Sequence, residues 1–380
     1  MTAPKESIRS LRGNLTGKRP ETLKMIIGLD GFVDEIIHPV NTRDDFQTYE
    51  RINKISELGD RIQRAAGLST NIELVPVGMK LGGNGPILSN ALIEYGVGLT
   101  YVGAIGSPAI HPVFVPMSER CTVYSTGEPG HTDAMEFLDG KLLLCKTIAM
   151  TAITWAKILE VAGGLDKFTG MIAESDLFGM ENWTMIPYMS DIWGRMIAEV
   201  FPKLPDRAVK PIAFFDLADP EKRSKADILE AMRLIGAFEQ KFRSVLGLNE
   251  KEAYEIAEVF GIHIDGNLPA ADRLKRAVTG VYEKLGIYCL VVHPTKEAVC
   301  CVSGDYYQQA GPYCKSPVLT TGAGDNFNAG FCLGTSLGLS PQDSLTLGVC
   351  TSGYYVRNAK SPTLRDLLTF LDHWEEDKLS

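Results

Sequence analysis

Short, almost wholly apolar runs recur along this chain, with segments of helical spacing between them, and this alternation constrains its fold most. The runs are Lys24–Leu29, Leu99–Gly106, Pro211–Asp216, Arg243–Leu248 and Tyr288–Val292. A strand that is apolar on both sides has to be covered on both faces. Residues 50–66, 152–163 and 224–241 look helical and can supply that cover. Repeated β-then-α order predicts an α/β fold with a doubly wound, mostly parallel sheet flanked by helices. At 380 residues the chain can bury a large core, as one big α/β domain or as two.

The pattern is interrupted twice. Residues 1–22 are polar and end at Arg19-Pro20, which reads as an N-terminal arm with the folded domain over 23–380. From about 107 to 150, short alternating runs are punctuated by Gly127-Glu128-Pro129-Gly130 and Asp139-Gly140, the chemistry of hairpin turns. A small antiparallel β-sheet outside the main layers follows from this, a lid formed mainly by about 33–48 and 107–150. Ile72–Val77 reads as an edge strand because of Pro76. Thr169–Ala173 reads as a strand and Glu181–Phe201 as one long helix. The Trp183, Met185, Met189, Trp193 and Met196 stripe on that helix suits a core or a subunit interface.

A net charge of −9 argues against general nucleic-acid binding and against attachment to an anionic membrane. No apolar run is long enough to span a bilayer, and the N-terminus lacks the apolar core of a secretory signal. The eight cysteines form no CxxC pairs, so a reducing compartment, the cytoplasm, and no structural metal are expected.

Four glycine-bearing or acidic stretches carry the chemistry. In Thr320-Thr321-Gly322-Ala323-Gly324-Asp325, a small-residue turn feeds a helix N-terminus. Such a turn aims backbone N–H groups one way, and the helix dipole adds positive potential there. A carboxylate at the rim would repel a resting phosphate, so Asp325 makes better sense as a base for an attacking hydroxyl. A plain Gly-rich turn with Asp325 in the first helical turn fits the same residues. Asp30 and Asp34 lie just beyond the first apolar run, where carboxylates can hold sugar hydroxyls or be solvated loop residues. Gly82-Gly83-Asn84-Gly85 precedes a helix and allows close backbone approach to a ligand, or simply a capped entry loop. Asn249 and Glu252 have the spacing of a capping box.

In this order the motifs resemble those of the ribokinase-like (PfkB-type) carbohydrate kinases. Thr321-Gly322-Ala323-Gly324-Asp325 is similar to the family's C-terminal signature, Asn249-Glu250-Lys251-Glu252 to its N-x-x-E motif, and Gly82-Gly83-Asn84-Gly85 to its N-terminal glycine motif. The resemblance implies an ATP-dependent kinase for a sugar or sugar-like alcohol. It makes Asp325 the general base and gives Gly322, Ala323 and Gly324 an anion hole. Asn249 and Glu252 would organise Mg²⁺ near the nucleotide phosphates. Asp34, in competition with Asp30, would bind sugar hydroxyls with Gly83 and Asn84. A homodimer is implied by analogy alone.

The chain departs from the family pattern in places. Leu319 stands where relatives often carry an acidic residue that helps bind a monovalent cation. Ile87 stands where an asparagine is usual, and His293–Ala298 lacks the two glycines of a Thr-x-Gly-x-x-Gly loop. No GxxxxGK[ST] element occurs, which argues against a P-loop mechanism. The alternatives are a nucleoside kinase of the same fold, with Phe32, Tyr124 and Phe137 around the base, and a non-catalytic sugar-binding regulator.

Overall fold

The computed structural model describes residues 4–379. In chain order its strands are β1 (Lys24–Leu29), β2 (Phe32–Arg43), β3 (Tyr49–Arg51), β4 (Leu74–Gly82), β5 (Gly98–Gly103), β6 (Thr122–Ser125) and β7 (Gly130–Phe137). They continue with β8 (Gly140–Lys146), β9 (Leu177–Met180), β10 (Ile212–Asp216), β11 (Arg243–Leu248), β12 (Cys289–Val292), β13 (Glu297–Val302) and β14 (Asp305–Ala310). Nine of them form one sheet in the order β14-β13-β12-β11-β10-β9-β1-β5-β6. Every neighbouring pair is parallel except in the terminal hairpin, where β13 runs against β12 and β14 against β13.

The side-chain period of two sorts each apolar strand between two cores. Ile26, Phe178, Phe215 and Leu246 face a core closed by helices that include Trp155–Ala162, Lys225–Ala237 and Ala270–Leu285. Met25, Ile27, Phe214 and Val245 face the other, closed by Asn84–Glu94, Ala323–Ser336, Pro341–Asn358 and Leu364–Glu375. The N-terminal arm belongs to this second core. It is helical over Pro4–Leu15, and Ile8, Leu11 and Leu15 are buried at helical spacing.

The second sheet has five strands, β3-β2-β7-β8 with β4 paired to β2. It hangs off the carboxyl end of β1 because only Asp30 and Gly31 separate β1 from the long strand β2. Residues 107–129 are not part of it, although they were expected there. They form short helical turns and β6, which pairs with β5 in the main sheet. The place is taken by β4, which pairs antiparallel with β2 over Phe32–Pro39.

Two further expectations are corrected. Thr169–Ala173 lies inside a helix, Leu165–Glu174, and the strand is β9 just beyond it. Phe168, Thr169 and Ile172 share the buried face of that helix, so the apolar residues there follow a period of 3.6, not 2. The helix expected over Glu181–Phe201 begins at Met189, because Asn182 takes a left-handed conformation (φ 63°) and Pro187 follows in the approach to the helix. Trp183, Met189, Trp193 and Met196 are fully buried, so this stripe is core. Among the described residues no helix is long and apolar enough to cross a membrane.

Candidate active site

The carboxyl edge of a parallel sheet is where ligands bind in open α/β folds. Asp30 sits there at the end of β1, fully buried. Its Oδ2 accepts from the Asn84 N–H at 3.0 Å and from Asn182 Nδ2 at 2.8 Å, and its Oδ1 accepts from the Gly85 N–H at 2.9 Å. Asn84 and Gly85 open the helix Asn84–Glu94, so Asp30 satisfies N–H groups that have no carbonyl one turn back. Burial pushes its carboxyl up to about 6 despite these donors. Gly83 (φ 93°) lets the loop close over it, for a Cβ there would lie 2.9 Å from Asp30 Oδ2. Asp30 therefore spends its oxygens on holding the loop.

Asp34 has a different setting. It lies on β2 between Lys80 on β4 and Thr132 on β7. Burial raises its pKa, opposed by the charge of Lys80, a hydrogen bond from Thr132 and the charge of Lys141. Gly82 leaves the room its carboxylate occupies, since a Cβ there would lie 2.3 Å from Asp34 Oδ1.

Asp325 stands in the first turn of the helix Ala323–Ser336, and its Oδ1 accepts from Asn84 Nδ2 at 3.1 Å. That bond joins the N-terminal glycine motif to the C-terminal signature across 241 residues of sequence. Burial pushes the Asp325 carboxyl up to about 8; the negative charge of Asp30 adds to the rise, and the Asn84 bond opposes it. The turn before it is left-handed at Gly322 (φ 90°), where a Cβ would come within 3.0 Å of the Tyr355 hydroxyl. That hydroxyl donates to the Thr321 carbonyl at 2.7 Å. The Ala323 N–H is committed within the turn, to Thr320 O at 3.1 Å. The N–H groups of Gly322 and Gly324 have no such partner among the described residues.

Beside this turn lies a cavity of about 340 Å³ bordered by Pro312, Tyr313, Ala323, Gly324, Val349 and Ser352. His293 and Thr295 line both this cavity and a second cleft that reaches Asn249, Lys251 and Tyr254. His293 is held neutral, because burial pushes its imidazole down to about 4. It packs on Gly324, where a Cβ would lie 3.0 Å from its Cε1.

Asn249 and Glu252 form a reciprocal capping box: Asn249 Oδ1 accepts from the Glu252 N–H at 2.9 Å, and Glu252 Oε2 from the Asn249 N–H at 2.8 Å. Glu252 Oε1 also accepts from the Asp219 N–H at 2.9 Å. Near it, Asp216 ends β10 and accepts from the Ala218 N–H at 3.0 Å and Asn328 Nδ2 at 3.1 Å. Glu181 is fully buried, and neither carboxylate oxygen has a hydrogen-bond partner among the described residues. Burial raises the pKa of Asp216, with Glu252 and Asp325 adding to it. Glu181 is raised by burial and then by Asp216, Asp325 and Asp30. Among the described residues no lysine or arginine forms an ion pair with Asp30, Glu181, Asp216, Glu252 or Asp325. Such a group needs protons or a cation, and its oxygen donors are of the type a hard divalent ion takes, although no three of these carboxylates bring ligand oxygens within 4.8 Å of one another among the described residues.

Glu181, Asn182, Asp216 and Asn328 were not singled out as site residues from the sequence. Asp216 did show the signal of a carboxylate just off a strand end, whereas 174–189 showed no motif. The aromatics considered for a nucleobase are otherwise engaged. Phe32 is buried in the main core, Phe137 packs with Ile37 and Leu58 inside the lid, and Lys167 lies over the Tyr124 ring at 5.5 Å.

The fold has close structural counterparts. A sugar kinase described as probable, from Rhizobium etli, superposes with a TM-score of 0.64 at 15% identity, covering 94% of this chain and 99% of its own. Arabidopsis thaliana ribokinase, solved with ribose and ATP, gives 0.61 at 16% identity over 92% and 98%. These likenesses show a ribokinase-like fold. Residues 5–374 match the model of the prokaryotic ketohexokinase family, and the chain belongs to that family. A ketohexokinase of Haloferax volcanii is 29% identical over 349 residues, 91% of this chain and 90% of that protein. The enzyme is a sugar kinase.

Proposed function

We propose that the enzyme transfers the terminal phosphoryl group of ATP to a hydroxyl of a ketohexose. The observation that carries this reading is the Asn84–Asp325 bond, which brings the sugar-side loop and the glycine turn onto one point. A hydroxyl bound there gives its proton to Asp325 as the phosphoryl group arrives, and the N–H groups of Gly322 and Gly324 face the phosphoryl oxygens. Asp34 binds sugar hydroxyls, with Gly83 and Asn84 along the same wall. The cavity bordered by Tyr313 and Val349 takes the base of the nucleotide. Asp216 and Glu252 would hold Mg²⁺, with Asn249 fixing Glu252 in place. When bound, Mg²⁺ supplies neutralisation of phosphate charge. The name of the Haloferax volcanii relative supports a ketohexose over other sugars, and the engaged aromatics count against a nucleoside.

The test is ADP release from Mg·ATP with ketohexoses, aldohexoses and nucleosides, each run beside Asp325→Asn. Ketohexoses should give the highest kcat/KM, and the variant should abolish the signal. A nucleoside preferred over every sugar would overturn the substrate assignment.

A cytoplasmic location and a homodimer belong to the same proposal. The first rests on eight unpaired cysteines. The second rests on apolar side chains exposed on the lid, Val77, Met79, Leu143 and Leu144.

A further inference from the structure

Lys141 is the second residue of β8, directly after the Leu138-Asp139 turn of the lid. Its Nζ donates to Thr321 Oγ1 at 2.5 Å, across 180 residues of sequence. Thr321 is the residue before the glycine turn, so this contact sets a lid ammonium at the mouth of the anion hole. The residue as a whole is exposed, yet protein crowds the ammonium: burial and then the charge of Lys80 push its pKa down, while Glu136, Asp34 and Asp325 pull it up. Among the described residues no carboxylate lies within the 4.0 Å of an ion pair with it. Lys146, five residues on in the same strand, is paired in the ordinary way with Asp133 at 2.7 Å.

A lysine at the tip of a hairpin usually points into water or at a neighbouring carboxylate. Lys141 does neither, although Glu136 is its cross-strand partner. It points at a neutral hydroxyl beside N–H groups that await an anion. The turn that carries it is tied to the rest of the lid, since Asp139 Oδ1 accepts from the Ile55 N–H at 3.0 Å and the Leu138 N–H donates to Asn53 O at 2.8 Å. The ammonium is therefore anchored to the lid.

We propose that Lys141 is a catalytic residue delivered by the lid, its ammonium contacting an oxygen of the phosphoryl group in transfer. This rests on the reading of the site given above. During transfer the sugar oxygen forms its bond to phosphorus while the bond from phosphorus to the ADP oxygen breaks. The hydroxyl proton goes to Asp325, and Lys141 keeps all of its protons. A cation at that position stabilises charge on the moving group only when the lid is over it. Turnover is thereby coupled to the lid position.

The experiment compares Lys141→Met, Lys141→Gln and Lys141→Arg with the wild type and with Asp325→Asn, using D-fructose and Mg·ATP. Lys141→Met and Lys141→Gln should lower kcat on the order of 100-fold. Binding of D-fructose and of Mg·ADP, each measured alone by calorimetry, should stay within about twofold. The extra affinity for Mg·ADP that aluminium fluoride confers in the presence of D-fructose should disappear, and Lys141→Arg should restore part of it. A kcat within about twofold of wild type in both uncharged variants would overturn the inference, as would a loss confined to D-fructose binding. If Asp325→Asn is inactive while Lys141→Met is not, Lys141 alone is excluded. If Asp325→Asn is itself active, the reading of the site falls first.

Discussion

Asp30 and Asp34 stand four residues apart and belong to different kinds of structure. Asp30 ends a strand of the nine-stranded sheet, is covered on every side, and receives three hydrogen bonds from Asn84, Gly85 and Asn182. Asp34 lies in the five-stranded lid sheet, where Lys80 and Lys141 approach it without closing an ion pair. Both carboxyls are pushed up by burial, so burial does not distinguish them. What differs is how their oxygens are used. At the end of β1, the oxygens of Asp30 are consumed in fixing the loop that opens the helix Asn84–Glu94. Around Asp34 in the lid, the charges of Lys80 and Lys141 are left close by without an ion pair among the described residues, even though Lys146 and Asp133 of the same sheet are paired. On the proposed function, the contrast gives stability to one aspartate and substrate to the other, and it can be broken by experiment.

The largest effect is expected where floor and lid converge. Asp325→Asn should lower kcat by about 10³-fold, the range of a lost general base, while the fold and Mg·ADP binding persist. Because this carboxyl titrates near 8 in the free enzyme, kcat/KM should climb as pH rises from about 6 to about 9. Stability should move the other way. The folded state holds the Asp325 proton between its ordinary pKa of 3.8 and about 8, so stability falls as pH rises across that window. Asp325→Asn should lose this part of the slope in urea titrations at successive pH values. A flat rate profile combined with an unaltered stability slope would show that the carboxyl is not held protonated.

A smaller effect separates the two aspartates directly. Asp34→Asn should raise the KM for sugar roughly 10- to 100-fold through the loss of charged hydrogen bonds, and leave the melting temperature nearly unchanged. Asp30→Asn should destabilise the fold by about 1–3 kcal/mol, because an amide cannot accept all three donors. Equal losses of stability in both variants would erase the contrast. The smallest effect concerns the exposed side of the lid. If its apolar residues form a subunit contact, the wild type should sediment as a dimer at micromolar concentration, and Met79→Lys with Leu144→Lys should shift it to monomer. A monomeric wild type would remove the dimer from the proposal.

How much of this was legible in the chain depended on how local the interactions are. The Asn249–Glu252 capping box spans three residues and was readable as spacing alone. The apolar runs of β1, β10, β11 and β12 were readable because each needs cover on both faces. The arm was less well read, although Ile8, Leu11 and Leu15 carry a helical period, because polar residues dominate its composition. The swap of β4 for residues 107–129 in the lid was not readable, since strand composition does not name a pairing partner. Nor was the role of 181–182, where a left-handed asparagine and a buried glutamate leave no periodic trace.

The sequence by itself determined the α/β order, the glycine turn with Asp325 behind it, and the likeness to carbohydrate kinases. These follow from hydrophobic period and from backbone conformations that few residues tolerate, both properties of short stretches. Only the tertiary structure decided which of two aspartates is spent on the scaffold, which acids gather near Asp325, and which lysine reaches Thr321. Those outcomes rest on contacts between residues 54 to 241 positions apart. A side chain's charge is written in the sequence, but its partner is chosen by packing, and the partner decides whether that charge holds the fold or awaits a substrate.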